Sequence, residues 1–317
     1  MENVTVLIRS VRERTEALCR KLVLEQDIPE SELFMVREVP FSETLRSCYK
    51  KGIDRGKTWT LCVDADVLPR PGSIRKMVEL AEAQEKRVSE VQGFIMDKFF
   101  GGPRKGGFHL YRTSLLPMAL EQLQALNEQI RPETATLNRM AQKGHPRAVV
   151  PYIVGTHDDE QYNFDIYRKA FVHAVKHLDM AELLVNHWKK NIDNDPDFNV
   201  ALKAFSDSIL SEETATINRE QELYQKMFEK SGLSEKSELE ISEISLEDVE
   251  KRIQSWHIDE LYYSYFPDSG GLDSGSTVAI RKLKTSLKNR GVSQTVLLSL
   301  SQALVKAGEK LGSRVPV

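Results

Sequence analysis

The sequence predicts an α/β domain with a mostly parallel sheet, followed by a mainly helical region. Three observations support this prediction. Short apolar runs alternate with segments of helical periodicity in the first half, several of the apolar runs end on polar residues, and strand signals stop at about residue 162. We therefore divide the 317-residue chain into a domain at 1–160 and a helical region at 161–317.

The predicted strands of the first half are apolar runs of strand length, at residues 4–8, 33–39, 59–63, 89–96, 108–112 and 148–154. Helical periodicity fills most of the intervals, at residues 17–24, 42–53, 74–83, 114–129 and 133–143. A strand–helix–strand order of this kind implies parallel strands joined by right-handed crossovers. Beyond residue 162, the segments 164–178, 180–191 and 211–230 are predicted to be helical.

Composition indicates an ordinary soluble protein. Hydrophobic residues make up 40% and charged residues 29%, and a net charge of -3 gives no reason to expect nucleic acid as a partner. Cys19, Cys48 and Cys62 lack metal-type spacing and lie in apolar patterns, so we expect buried, reduced thiols. No signal peptide precedes the first strand and no apolar run is long enough to span a bilayer, so we expect a cytoplasmic location.

The third predicted strand ends on two carboxylates, Asp64 and Asp66, before the breakers Pro69 and Gly72 and a candidate helix cap, Ser73. Ligands of open α/β sheets bind at the carboxyl ends of strands. Two hard oxygen donors on one turn suit Mg²⁺ or Mn²⁺. An Asp-X-Asp sequence also occurs by chance as a solvated turn, so the motif requires support from other residues.

Several stretches of the first 160 residues resemble a known family. Residues 6–14 resemble the nucleotide-holding strand and loop of the GT-A fold, 63–72 resemble its DXD metal motif, and 107–112 resemble the small strand before its acceptor helix. Glu133, Arg139, Gly144 and His157 keep the spacing of the family's catalytic carboxylate, arginine, glycine and histidine, with gaps of six, five and thirteen positions. The chain thus resembles family 2-type glycosyltransferases, whose catalytic domain is Rossmann-like with a mostly parallel sheet.

The resemblance implies a metal site and a catalytic base. Asp64, Asp66 and His157 would hold the metal, and the imidazole would favour Mn²⁺ somewhat over Mg²⁺. Glu133 would accept the proton of an attacking hydroxyl in an inverting transfer. The family's usual Glu-Asp pair is Pro132-Glu133 here, so Glu133 must serve where the family has Asp.

Plainer interpretations of these residues stay open. His157 could be a hydrogen-bonded loop histidine, and Glu133 could be an ordinary acid in the first turn of a helix. Consecutive acids after a strand, such as Asp158 and Asp159, are usually solvated.

For the nucleotide, Ser10, Arg12 and Arg14 lie on the first strand–helix loop, where a helix start attracts phosphate or ribose. Glu38 ends the second predicted strand and could contact the base or ribose, and Lys50 could reach the diphosphate from the second helix. Each of these residues could equally be a surface charge. The donor implied by the resemblance is a UDP- or GDP-sugar, and the acceptor is a hydroxyl of a glycan or a lipid-linked molecule.

Two other functions compete with sugar transfer. A nucleotidyltransferase of the same fold class would want a glycine-rich triphosphate loop, and residues 10–14 contain no glycine. A non-catalytic nucleotide-sugar-binding or assembly protein would keep the fold without turnover, and the absence of an Asp beside Glu133 supports that alternative.

The second half carries opposite charges in separate segments. Residues 235–260 are acidic, residues 268–275 are glycine-rich, and residues 277–317 are basic with apolar positions between the charges. The basic tail could lie on an anionic membrane surface or mediate homo-oligomer formation. It could also pair with the acidic segment of its own chain, which we favour because both charges are present.

Overall fold

The computed structural model describes residues 1–124, 132–176, 178–211, 222–259 and 261–266. The chain divides into two compact units, Met1–His257 and Ile258–Val317. The first unit contains one mixed sheet, whose strands are β1 (Val4–Arg9), β2 (Leu33–Val36), β3 (Trp59–Asp64), β4 (Val67–Pro69), β5 (Glu90–Asp97), β6 (Gly102–Arg104), β7 (Phe108–Arg112) and β8 (Arg147–His157).

The order of the strands across the sheet is β2-β1-β3-β7-β5-β8-β4, and β6 pairs with β5 outside this path. Strands β1, β2 and β3 are mutually parallel, and β5 is parallel to β8. Strand β7 is antiparallel to both β3 and β5, and β4 is antiparallel to β8. The carboxyl ends of β1, β3, β5 and β8 consequently meet at one edge of the sheet.

Helices cover the sheet and continue the chain after it. Those of the first unit are α1 (Glu16–Leu24), α2 (Phe41–Arg55), α3 (Ser73–Glu82), α4 (Leu116–Gln124), α5 (Pro132–Gln142), α6 (Asn163–Lys176), α7 (Ala181–Asn191), α8 (Asp197–Ile209), α9 (Glu222–Ser231) and α10 (Leu246–Ser255). The predicted α/β class, a mostly parallel sheet followed by helices, is confirmed.

Apolar side chains pack on both faces of the sheet. On β1, Val6 and Ile8 join the core beneath α1 and α3, whereas Leu7 joins a second core with α2, α4 and α5. Successive residues of a strand point to opposite faces, so this division follows from the period of two. Cys19, Cys48 and Cys62 are buried and free, as predicted.

Some local predictions were wrong. Strand β2 ends at Val36 rather than at residue 39, and β8 continues to His157. Directly after Asp66 the chain forms strand β4, which pairs with β8 at the edge of the sheet. Pro69 is tolerated in this strand because its missing N–H is not needed at an edge. Ser73 does not cap α3; it is the first helical residue, and Gly72 takes the cap position with φ 68°.

Helix α10 and the segment before it pack against the sheet and helix α1. Ile244 and Val249 share a core cluster with Leu18, Leu22 and Leu68. Arg70, just after β4, donates two hydrogen bonds to the carboxylate of Glu250 on α10. The residues from 161 to 257 therefore belong to the same compact unit as the sheet.

Of the second unit the structure describes residues 258, 259 and 261–266, with a short helix α11 (Tyr262–Tyr265). The predicted glycine-rich loop at 268–275 and the basic tail at 277–317 lie outside the described residues, as do parts of the predicted helices at 114–129 and 211–230. Among the described helices, none combines the length and the apolar character needed to cross a membrane.

Candidate functional site

Polar side chains gather where β1, β3, β5 and β8 end. Arg9, Asp64, Asp97 and His157 are the last residues of these four strands. Asp66 follows Asp64 by two positions, yet the two carboxylates have different partners. The site consists of two clusters, which we call the Arg9 cluster (Arg9, Asp64, Glu90, His109, Tyr111 and Glu133) and the Asp66 cluster (Asp66, Asp97, Arg104, His157, Asp158 and Lys169).

In the Arg9 cluster a buried guanidinium joins two of the predicted site residues. Arg9 Nε donates to Asp64 Oδ1 at 2.6 Å, and Arg9 Nη1 donates to Glu133 Oε1 at 2.7 Å. The side chain of Arg9 is 3% exposed, whereas that of Asp64 is 32% exposed. Asp64 therefore presents the open side of the pair, and Arg9 links the turn after β3 to the start of α5.

Glu133 receives further donors. The Tyr111 hydroxyl donates to Oε1 at 2.5 Å, and His109 Nε2 lies 3.3 Å from Oε2. Burial alone would raise the pKa of Glu133, but the charges of Arg9 and His109 outweigh it and lower the pKa to about 2. Glu133 is therefore a carboxylate at neutral pH, with Oε2 as its less occupied oxygen.

His109 continues this chain of contacts into the sheet. Its Nδ1 lies 2.5 Å from Oε1 of Glu90, a fully buried residue of β5. Burial lowers the pKa of His109, but the charges of Glu133 and Glu90 overcome that effect and raise it. The imidazole thus lies between two carboxyl groups, and Glu90 Oε2 has no hydrogen-bond partner in the described part of the chain.

The Asp66 cluster contains two of the three predicted metal ligands and adds a third. Donor atoms of Asp66, His157 and Asp158 all lie within 4.8 Å of one another. His157 Nε2 is 3.5 Å from Asp66 Oδ2, and Nδ1 is 3.2 Å from Asp158 Oδ2. Asp64 is not in this group; Asp158 is. The expectation that Asp158 and Asp159 are solvated was wrong, because both are buried.

Asp97 supports His157 from the end of β5. Its Oδ2 lies 3.0 Å from His157 Nδ1 and accepts from Arg104 Nη1 at 2.8 Å. Its Oδ1 accepts from the backbone N–H groups of Phe99 and Phe100. Burial alone would raise the pKa of Asp97, but Arg104 and His157 hold it well below its usual range. The histidine is therefore oriented by a carboxylate that stays charged.

A lysine from α6 closes the Asp66 cluster. Lys169 Nζ donates to Asp66 Oδ2 at 2.7 Å and also to Asp158 Oδ1. Burial alone would lower the pKa of Lys169, but the charges of Asp158 and Asp66 raise it. Burial would in turn raise the pKa of Asp66, and Lys169 and His157 outweigh it and hold that pKa well below its usual range. Asp66 and Lys169 are consequently a charged pair at neutral pH.

The donor set of the Asp66 cluster fits a divalent metal ion. Two carboxylates and one imidazole are ligands suited to Mn²⁺ and acceptable to Mg²⁺. Asp66 Oδ1 is buried without a hydrogen-bond partner in the residues that the structure describes, so one oxygen is available to a cation. Asp97 supplies the outer carboxylate that metal-binding histidines usually have.

Of the predicted nucleotide residues, Ser10 and Arg14 have structural partners. The Ser10 hydroxyl bonds the carboxylates of Glu13 and Glu16 and accepts from the Arg12 N–H at 2.8 Å. Arg14 donates to the carbonyls of Ser237 and Glu160. Ser10 therefore shapes the loop, and Arg14 fastens it to later parts of the chain.

The same loop carries one unusual acid. Burial, and then the charge of Asp66, raises the pKa of Glu13 to about 7. Arg12 adopts a left-handed backbone conformation with φ 67°. Its side chain is exposed, and its charge is among those that lower the pKa of Glu16.

Glu38 and Lys50 are exposed, and in the described part of the chain neither side chain has a hydrogen bond or an ion pair. Between them in the sequence are two exposed apolar residues, Val39, which is 50% exposed, and Phe41, which is 39% exposed. The Arg9 guanidinium carbon lies 5.1 Å from the centre of the Phe41 ring. A partly exposed aromatic ring therefore lies beside the guanidinium of the Arg9 cluster.

Four residues of the two clusters were not predicted: Arg9, His109, Tyr111 and Lys169. Arg9 had a recognisable signal, because it ends a buried strand in the same way as Asp64. His109 and Tyr111 are two positions apart on β7 and thus share a face of the sheet. The predicted strand at residues 108–112 was sufficient to place them on that common face. No pattern in the sequence indicated Lys169, because it lies on a helix and is 103 positions after its partner Asp66.

Comparison with known proteins finds similar folds among transferases. No family model matches the chain, and no curated protein matches it. A mannosyltransferase from Pyrobaculum calidifontis, solved with GDP-Man and Mn²⁺, is 15% identical at a TM-score of 0.35, covering 89% of this chain and 87% of its own.

Two further similar structures cover less of this chain. A glycosyltransferase involved in glycosylation of the major capsid of PBCV-1 is 14% identical at a TM-score of 0.35, covering 47% of this chain and 82% of its own. A cytidylyltransferase from Leptospira borgpetersenii is 13% identical at a TM-score of 0.31, covering 62% and 96%. Two of these three similar structures are described as glycosyltransferases or mannosyltransferases.

Proposed function

We propose that the protein is a metal-dependent glycosyltransferase that moves a sugar from a UDP- or GDP-sugar to a hydroxyl of a glycan or lipid-linked acceptor, with inversion. The observation that carries the proposal is that Asp64 and Asp66, two positions apart at the end of β3, belong to two unlike clusters. The Asp66 cluster offers ligands for a cation, and the Arg9 cluster offers an ionised carboxylate, Glu133, linked through Arg9 to Asp64.

On the donor side, Asp66, His157 and Asp158 would hold Mn²⁺ or Mg²⁺, with Asp64 at the open end of the same turn. A divalent ion supplies positive charge that offsets the charge developing on the leaving diphosphate. Arg12, exposed on the neighbouring loop, would bind a phosphate oxygen. Glu38 and Lys50 would border the nucleoside, together with the exposed ring of Phe41.

On the acceptor side, Glu133 would receive the proton of the attacking hydroxyl. Its pKa of about 2 keeps it ionised but makes it a weak base. Arg9 and Tyr111 both occupy Oε1, whereas Oε2 has only His109 at 3.3 Å. The hydroxyl would therefore approach Oε2 and weaken the His109 contact, which raises the basicity of the carboxylate at the moment of transfer.

A thermal-shift panel tests this proposal. Each UDP- and GDP-sugar is added with Mn²⁺, Mg²⁺ or EDTA, because a ligand that binds the folded state raises the melting temperature. A nucleotide-sugar that stabilises the protein only in the presence of metal is the expected result, and product analysis with that donor then shows transfer. No shift with any donor and metal would refute the proposal.

A second candidate function is nucleotide-sugar binding without turnover. The observation in its favour is that both clusters are compensated internally, Glu133 by Arg9 and His109, and Asp66 by Lys169. A binding protein would give the same thermal shifts, but neither sugar transfer nor donor hydrolysis. A nucleotidyltransferase would instead be stabilised by a nucleoside triphosphate.

A further inference from the structure

Lys169 occupies the position that makes the Asp66 cluster stable without a metal. Its ammonium contacts Asp66 Oδ2 and Asp158 Oδ1, two carboxylates that belong to the candidate ligand set. Both carboxylates are buried, at 8% and 4% exposure. Buried carboxylates need a partner charge, and Lys169 supplies it.

An ammonium and a divalent cation compete for the same oxygens. Asp66 and Asp158 cannot give full coordination to a cation while they accept hydrogen bonds from Lys169, and two positive groups at that spacing repel each other. The lysine therefore stabilises the protein in the absence of metal and opposes metal binding.

We propose that Lys169 is an internal competitor of the divalent cation, and that it must leave Asp66 and Asp158 before the cation is fully bound. The inference rests on the proposed function, since it concerns the same metal site. Helix α6, which follows the sheet in the chain, would thereby lower the affinity of the site for the metal.

The structure offers a route for this exchange. The Asp66 carboxylate keeps Oδ1 without a hydrogen-bond partner in the described residues, so a cation can bind there while Lys169 still holds Oδ2. The Lys169 side chain is 19% exposed. It projects from the middle of α6 on a flexible four-carbon chain, so the ammonium can turn toward solvent without a shift of the helix.

The expected consequence is that removing the ammonium strengthens metal binding. Because the metal-competent state is only partly populated while Lys169 is in place, the apparent affinity is reduced by that population. We expect Lys169→Met to bind Mn²⁺ about tenfold more tightly, a factor within the usual range for linked equilibria. Lys169→Arg keeps the charge and should keep the weaker affinity.

The experiment titrates Mn²⁺ into the full-length protein and follows free Mn²⁺ by electron paramagnetic resonance. Wild type is compared with Lys169→Met, Lys169→Arg and a matched control, Lys203→Met. Lys203 also pairs with an aspartate, Asp207, but lies on α8 with 46% of its side chain exposed. Tighter binding by Lys169→Met alone supports the proposal. Equal or weaker binding than wild type overturns it.

Lys169→Met leaves buried carboxylates without their partner and could therefore fail to fold. Recovery of the folded circular dichroism spectrum on adding Mn²⁺ would then support the proposal. If Mn²⁺ does not restore the fold, the titration is repeated with Lys169→Gln, which keeps a hydrogen-bond donor. The same increase in Mn²⁺ affinity is expected for this variant, and no increase overturns the inference.

Donor binding by the wild-type protein separates this inference from the proposed function. A donor-induced thermal shift with unchanged Mn²⁺ affinity in the Lys169 variants refutes only the competition. Absence of Mn²⁺ binding in every variant, together with absence of any donor shift, refutes both.

Discussion

The imidazole of His109 and the carboxylate of Glu133 lie 3.3 Å apart, and the two side chains are only 8% and 13% exposed. Through His109, the candidate base contacts Glu90 inside the sheet. The protonation state of Glu133 is therefore set by fixed neighbours in the protein, and bulk solvent has little part in it.

Acid pH should remove the stability that Glu133 contributes. Its pKa falls from an ordinary 4.5 to about 2 on folding, so the contribution is fully present above pH 4.5 and is lost as the pH falls toward 2. We expect the free energy of unfolding of wild type to exceed that of Glu133→Gln by roughly 3 kcal/mol near neutral pH. Urea denaturation at pH 6, 4.5 and 3 measures it, and a difference that does not shrink with acid would contradict the assignment.

Glu133→Gln should also abolish sugar transfer while donor binding persists. The amide keeps the shape of the side chain but cannot accept the hydroxyl proton, and general bases typically contribute about 10²–10⁴-fold to the rate. Initial rates and donor thermal shifts are compared with Glu43→Gln, a control acid that is 47% exposed on α2. Normal transfer by the Glu133 variant would refute its role as base.

Asp66→Asn and Asp64→Asn should differ in their effect on metal. Asp66 belongs to the group of clustered donor atoms, whereas Asp64 is held by Arg9. We expect Asp66→Asn to lose measurable Mn²⁺ binding and Asp64→Asn to retain part of it. Both should lose metal-dependent donor binding. Equal loss of Mn²⁺ in the two variants would place Asp64 in the ligand set as firmly as Asp66.

Gly107→Ala should destabilise the turn that carries the site. Gly107 has φ 66°, its carbonyl accepts from Asp64 N–H at 2.8 Å, and an added Cβ would meet Val67 Cγ2 at 2.5 Å. Gly144 is a matched control, with φ 89° and no atom within 4 Å of an added Cβ.

Gly144→Ala should lose about 1 kcal/mol through backbone strain alone. Gly107→Ala should lose more, because Val67 must also move, and urea denaturation measures both variants. A Gly107 variant as stable as the Gly144 variant would show that the turn relaxes freely.

The sequence predicted the parts of the site that follow from strand ends. Asp64 and His157 end apolar strands, and the periodicity of the chain placed those strands in one sheet. It could not show that Asp64 and Asp66 have different partners, because Asp64 accepts a hydrogen bond from Arg9 and Asp66 accepts one from Lys169. Ser73 lost its predicted cap role for a similar reason, since its hydroxyl contacts Gln26.

Nothing in the sequence indicated the pairing of Lys169 with Asp66. Contacts between residues far apart in the chain are fixed by packing, and a helical pattern gives the face of a helix without naming its neighbour. Strand β4 was missed for a different reason, because three residues ending in proline are too short for a period-two signal.

The contact of α6 with the Asp66 cluster limits how the chain can be divided. A fragment that ends at residue 160 would keep every strand of the sheet and both aspartates of the DXD turn, but it would lose Lys169 and the α10 carboxylate that holds Arg70. Asp66 and Asp158 would then keep His157 as a neighbour but lose the lysine that pairs with both. If this sheet domain were transferred to another protein, the helices that follow it would therefore have to be transferred as well.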